Sequence, residues 1–179
     1  MSNERCDRVC KPLYFPATLP PMQNIRILEA DLEQTAHQQA TLTLIDAYSC
    51  DAMGDGKPLA AEVRASLIDA LRKHPTTIVF LAFEAGAPVG VAVCFRAFST
   101  FAAKPIINMH DLHVLPSHQR RGIAQALIRA VENKARAIGA GKLSLEVLEN
   151  NNRARKTYAA AGFSSNSDEG PTLYLTKKL

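Results

Sequence analysis

VLPSHQRRGIA, residues 114 to 124, decides the fold. It leaves an apolar strand, stops at Pro116, and re-enters as a helix through a turn of small and basic residues. Upstream, Ile106 to Val114 (IINMHDLHV) reads as a strand. Downstream, Ile123, Leu127, Val131, Ala135 and Ile138 recur at spacings of three and four, so the turn from Gln119 to Ala124 opens a helix running to about Ile138. Gly139 to Gly141 ends it, and Lys142 to Val147 (KLSLEV) is the next strand. Strand, helix, strand in this order is a crossover between parallel neighbours.

Working outward, Ile78 to Phe83 and Val89 to Phe95 flank a turn at Glu84 to Pro88 and form a hairpin. Asn24 to Leu28 alternates like a short strand. Asp31 to Ser49 and Ala60 to Lys73 carry helical periodicity, separated by a Gly-rich break at Asp51 to Pro58. Asn151 to Ala161 is a short helix, and Leu173 to Thr176 a closing strand. The fold class is α/β: a mixed central sheet, antiparallel in its N-terminal part, with the parallel crossover late. Residues 1–23, with four prolines and no motif, read as an extension to a single domain at 24–179.

With 179 residues, 47% hydrophobic, 9 Gly, 10 Pro and 4 Cys, the chain can bury a core, and it is neither disordered nor a disulfide scaffold. No apolar stretch spans a bilayer and no signal sequence is read, so a cytoplasmic address without membrane contact is expected. Cys6, Cys10, Cys50 and Cys94 form no metal-ligand spacing, and no metal is expected. A pI near 9.0 invites an anionic partner. The charge is local: Ser117 to Lys156 holds nine basic residues against three acidic ones, while the rest nets −2. A local anion site explains that better than a nucleic-acid surface, so no nucleic-acid partner is expected.

The first turn of a helix offers unpaired N–H donors and the positive end of its dipole, which suits a phosphate group. Gly122 lets backbone approach closely, Ala124 keeps the second turn thin, and Arg120 or Arg121 adds charge. A second motif follows the next strand: Asn151, Ala154, Tyr158, then Gly162-Phe163. Together the two motifs resemble the acetyl-CoA-binding core of the GNAT superfamily of N-acetyltransferases. The element order fits from Asn24 to Leu175, and the motifs are specific between Phe98 and Phe163.

That resemblance implies a GNAT-like sheet with helices on both faces, and acetyl-CoA as co-substrate. The CoA pyrophosphate would rest on N–H groups of Gln119, Arg120, Arg121, Gly122, Ile123, Ala124 and Gln125. The pantetheine arm would pair like an added strand with Leu112, His113 and Val114, where the family splays two strands at a bulge. Asn151 would contact the arm near the thiol, Ala154 would pack against the cofactor, and Tyr158 would protonate the leaving thiolate. Chemistry asks for such groups: an ammonium of pKa around 10 must lose a proton before attack, and the oxyanion and thiolate need donors. Tyr158 could equally be a half-buried Tyr packing its helix, and Asn150 to Asn152 could supply only a helix cap.

The base is sought on the strand before the cofactor segment. His110 could accept a proton and Asp111 attract an ammonium substrate, and strand alternation sends the two to opposite faces. A strand histidine satisfied by a carbonyl is the competing reading. His113 and His118 read as packing or phosphate-adjacent. Phe98 to Phe101 (FSTF) with His110 to Val114 is similar to relatives acting on polyamines, with His110 in a glutamate's place. The acceptor is then a small-molecule amine of polyamine or diamine type; a peptide lysine, a xenobiotic amine or a non-catalytic CoA-binding role stand beside it. The same resemblance leaves room for a homodimer. Cys94, a strand residue upstream of the cofactor segment, is misplaced for a covalent intermediate, so direct transfer is expected.

Overall fold

β1 (Ile25–Glu29), β2 (Thr77–Glu84), β3 (Ala87–Ser99), β4 (Lys104–Val114) and β5 (Lys142–Leu145) lie side by side in chain order in one sheet. The computed structural model describes residues 24–165 and 175–177. The first three junctions are antiparallel and β4–β5 is parallel. Between β1 and β2 come α1 (Thr35–Ser49) and α2 (Ala61–Lys73), and α3 (Ile123–Ala137) connects β4 to β5. The chain divides after Glu146 into two compact units, the second containing α4 (Asn152–Ala160).

Alternation along β2 and β3 gives the sheet two apolar faces. Val79, Leu81, Val91 and Val93 meet Leu44 of α1 and Leu71 of α2. A fully buried Leu such as Leu44 or Leu81 contributes about 1.5–3 kcal/mol. The opposite face carries α3 through Leu127, Ile128 and Val131, all buried. A methyl group at Gly90 would stand 3.3 Å from Leu127 Cδ1, so the missing side chain lets α3 cross close over β3. Helices therefore cover both faces, as the family resemblance implies.

Boundaries move where local chemistry competes with periodicity. The helix expected from Asp31 begins at Thr35, because the Asp31 carboxylate accepts from Glu33 N (2.9 Å) and Gln34 Nε2 (3.0 Å) and folds residues 31–34 into a turn. The helix expected to open at Gln119 begins at Ile123: Pro116–His118 is one 3-10 turn, and Arg120 (φ 60°) and Gly122 (φ 78°) are left-handed. β5 stops at Leu145, not Val147. The hairpin forms, but its turn is tighter than the expected Glu84–Pro88: only Ala85 and Gly86 lie between the strands, at φ 48° and 83°, which match strand twist and let β3 begin at Ala87 rather than Val89. Residues 1–23, Cys6 and Cys10 lie outside the described residues, as do Leu173 and Tyr174 of the expected last strand; Leu175 and Thr176 have no regular structure.

Candidate active site

The site begins with one surplus residue in β4. Across β3–β4, Val93 faces Asp111 and Cys94 faces Met109, leaving His110 without an opposite number. This is a β-bulge, and it overturns the alternation reading of His110 and Asp111. Asp111 shares the face of Val93, which belongs to the α1–α2 core. The His110 ring stands edge-on to Phe95 at 5.6 Å, and Phe95 packs against that same core. Both side chains are on one face. The bulge also sits two residues earlier than the Leu112–Val114 segment at which it was expected.

At the same level β4 loses its outer neighbour. The parallel ladder to β5 runs from Ile106 opposite Lys142 to Met109 opposite Leu145 and ends there. From His110 to Val114, β4 pairs with β3 alone among the described residues. Its other edge offers backbone donors and acceptors spaced for an extended chain, which fits a pantetheine amide arm.

The α1–α2 face above this edge is polar and aromatic. Tyr48 of α1 stacks on buried His113 at 5.3 Å. Burial, the charge of Asp111 and that of Asp51 all push the Tyr48 phenol upward, so it stays protonated and can donate. Burial raises the Asp111 carboxyl above its usual 3.8, and a charge on His110 opposes that rise. His74, capping α2, stands edge-on to Phe95 at 5.1 Å. The loop after α1 is tied down by Ser49 Oγ donating to Lys57 O (2.8 Å) and Leu59 N to Asp46 Oδ1 (3.0 Å). Tyr48 was missed from the sequence. The bulge had a signal: the buried apolar positions of β4 are Ile107 and Met109, then Val114, an odd-to-even change of phase that one extra residue explains.

The loop from Leu115 to Gly122 closes the same end of the sheet. Gln119 Nε2 donates to Val114 O (2.9 Å), Leu115 N to Val89 O (3.0 Å) and His118 N to Leu115 O (2.8 Å). Gly122 caps α3, and the first intrahelical bond runs from Ala126 N to Gly122 O (3.0 Å), so the N–H groups of Ile123, Ala124 and Gln125 have no acceptor within the helix. Left-handed Arg120 and Gly122 curve the preceding backbone into a concavity of the kind that holds anions. A diphosphate fits this donor set. The Arg121 guanidinium is engaged elsewhere, on both carboxylate oxygens of Glu84. Of the local basic excess, Lys134 is likewise paired, with Glu29 at 2.7 Å.

In the second unit, Asn151 caps α4: its Oδ1 accepts from Ala154 N at 3.1 Å. Tyr158 is half-buried, its ring 5.9 Å from that of Phe163. Cys94 is fully buried, and burial together with the Asp111 charge pushes its thiol to about 12. Among the described residues no group of three or more His, Cys, Asp or Glu could hold a metal, and no helix is long and apolar enough to cross a membrane.

The model of the acetyltransferase (GNAT) family matches residues 42–163, from within α1 through α4. The chain belongs to that family. GNAT enzymes take acetyl-CoA as co-substrate, which agrees with the strand edge and the donor loop. An uncharacterized N-acetyltransferase, YhfO, of Bacillus subtilis is 26% identical over 98 residues, 55% of this chain and 66% of that protein. A thialysine N-epsilon-acetyltransferase of Caenorhabditis elegans is 32% identical over 79 residues, 44% of this chain and 49% of that one. The chain thus matches between half and two thirds of these relatives' lengths. A crystal structure of an aminoglycoside acetyltransferase from an uncultured soil metagenomic sample, in complex with trehalose, superposes with a TM-score of 0.73 at 16% identity, over 87% of this chain and 96% of that one. At that identity the likeness speaks to the fold.

Proposed function

We propose that this chain is an acetyl-CoA-dependent N-acetyltransferase that passes acetyl directly to the primary amine of a small diamine- or polyamine-like molecule. The observation that carries the reading is the edge of β4 at residues 110–114, left without β5, followed by the donor loop of residues 120–125; Gln119, expected among the donors, spends its N–H on Pro116 O at 3.4 Å. Leu112, His113 and Val114 hold the pantetheine amides, and backbone N–H groups near Gly122 hold the pyrophosphate with help from exposed Arg120. Residues 24–179 act as one acetyltransferase domain preceded by an extension.

The acceptor enters on the α1–α2 face. A partly buried carboxylate at Asp111 attracts its ammonium, and His110 on the same face takes the proton that must leave before attack. The amine nitrogen then adds to the thioester carbon, a backbone N–H of the open edge stabilises the oxyanion, the nitrogen releases its second proton to water, and the C–S bond breaks. Tyr158 gives its proton to the leaving thiolate, and Asn151 and Ala154 steady the cofactor arm; these roles rest on the family motif that carries them. The amine preference rests on Asp111 and on the similarity to a relative named for an amine-bearing substrate, thialysine. Phe98 and Phe101 stand exposed at the β3–β4 connection and do not carry it.

A thiol-release screen of acetyl-CoA against polyamines, amino acids, aminoglycosides and peptides, with mass spectrometry on each hit, tests the reading. A di- or polyamine is expected to lead. Tight CoA binding with no transfer to any amine would leave a binding protein rather than an enzyme. Tyr158→Phe is expected to slow turnover at least tenfold while CoA affinity is kept, and unchanged turnover would remove Tyr158 as the acid.

A further inference from the structure

The cofactor loop is fastened by a residue far from it in sequence. Glu84 ends β2, beside the tight Ala85–Gly86 turn. Arg121 Nη1 donates to its Oε2 at 3.0 Å, and Nη2 contacts Oε1, a bidentate pair. His118 Nε2 stands 3.1 Å from the same Oε2, and Ser117 Oγ bonds His118 Nδ1 at 2.8 Å. The cluster is closed in: side-chain exposure is 16% for Glu84, 6% for Arg121 and 9% for His118. The Arg121 hydrogen bond holds the Glu84 carboxyl below its usual range, so it is charged at neutral pH.

Arg121 sits between Arg120 and Gly122, both left-handed. A non-glycine residue in that region costs about 1–2 kcal/mol and persists only where its surroundings hold it. His118 and Arg121 bracket the strained step, and one carboxylate grips both. With its guanidinium on Glu84, Arg121 contributes backbone shape to an anion site while its charge is largely neutralised.

We propose that Glu84 is a positioning residue for the cofactor: it holds Arg121 and His118 so that the backbone N–H groups of residues 120–125 converge on the CoA pyrophosphate. The inference rests on the acetyl-CoA reading above, and it extends the site to β2.

The test compares acetyl-CoA with S-acetylpantetheine, which lacks the pyrophosphate and nucleotide and so makes no use of the loop. In Glu84→Gln, which keeps shape and loses charge, the ratio of kcat/KM for acetyl-CoA to that for S-acetylpantetheine is expected to fall at least tenfold. The CoA Kd by calorimetry should rise by a similar factor. Glu84→Asp keeps the charge on a shorter reach; it should show a smaller fall in the same ratio, and it carries the test if the Gln variant does not fold. An unchanged ratio overturns the proposal, as does an equal loss on both thioesters, which would mark a general structural role. Tighter CoA binding also overturns it, since Glu84 would then be restraining Arg121 from the phosphates. Wild-type protein that binds no CoA would instead remove the acetyl-CoA reading, and this inference with it.

Discussion

β4 is one strand with two different halves. From Ile106 to Met109 it is bonded on both edges, to β3 and to β5, and it buries Ile107 and Met109 under α3. From His110 onward it keeps β3 and loses β5. The first half satisfies its backbone within the protein and is scaffold; the second leaves its outer edge unpaired among the described residues and, on the proposed reading, is where the cofactor arm lies. What separates them is small: β5 stops at Leu145, and one extra residue enters β4 at the same level. A sheet that splays just past a firmly paired segment can offer an open edge without losing its own register.

The comparison breaks most visibly on paired substitutions. His110→Ala, in the open half, is expected to lower kcat roughly a hundredfold, the usual worth of a positioned base, and to move Tm little because the ring is exposed. Ile107→Ala, three residues earlier and fully buried, is expected to cost about 2–5 kcal/mol in denaturant unfolding and to leave the kcat of the folded fraction within threefold. If the His110 variant lost stability and kept its rate, the open half would be scaffold too.

How far the sequence carries a reader differs between these halves for a physical reason. Elements with sustained periodicity were legible. Ile123, Leu127, Val131 and Ala135 mark α3, and the β2–β3 hairpin follows from two apolar runs around Ala85-Gly86. The donor loop was legible as well, because Gly122 and the proline before it constrain backbone within a few residues. The placement of His110 and Asp111 was not, since strict alternation is only a local rule and a bulge is decided by which hydrogen bonds the neighbouring strand completes. The change of phase between Met109 and Val114 was visible, yet a strand read alone gives no reason to prefer a bulge to an exposed apolar residue. Glu84 carried no signal at all: its partner lies 37 residues away, and a carboxylate at a hairpin turn reads as solvated.

A charge inside the open half sharpens the comparison through pH. Burial raises the Asp111 carboxyl above 3.8, so the folded protein holds that proton more tightly than the unfolded chain does. The stability this contributes is complete below pH about 4 and is lost as pH rises through the raised value. Asp111→Asn removes the loss. The Tm of the variant minus that of wild type should therefore become more positive between pH 4 and pH 8, by scanning calorimetry, while KM for a cationic acceptor rises at least tenfold. A Tm difference that is flat with pH would mean the carboxylate is not held at a cost, and that its place on the strand is not one kept for a substrate's charge.

The smallest effect is expected one strand away. Cys94 lies opposite Met109, the last doubly paired residue, on the α3 side of the sheet. With its thiol pushed to about 12, roughly one molecule in ten thousand carries the thiolate at pH 8, and the sulfur has no exposed surface through which a thioester could reach it. An acyl-enzyme on Cys94 would need α3 to lift from the sheet face that it covers. Cys94→Ala is accordingly expected to hold kcat within twofold and to lose about 1 kcal/mol of stability from one buried sulfur. Peptide mapping after iodoacetamide should find half-buried Cys50 alkylated well before Cys94. Abolished turnover in Cys94→Ala would sink direct transfer, because the nucleophile would then lie on β3 beside the doubly paired half of β4, and the division of β4 into scaffold and site would no longer describe the chemistry.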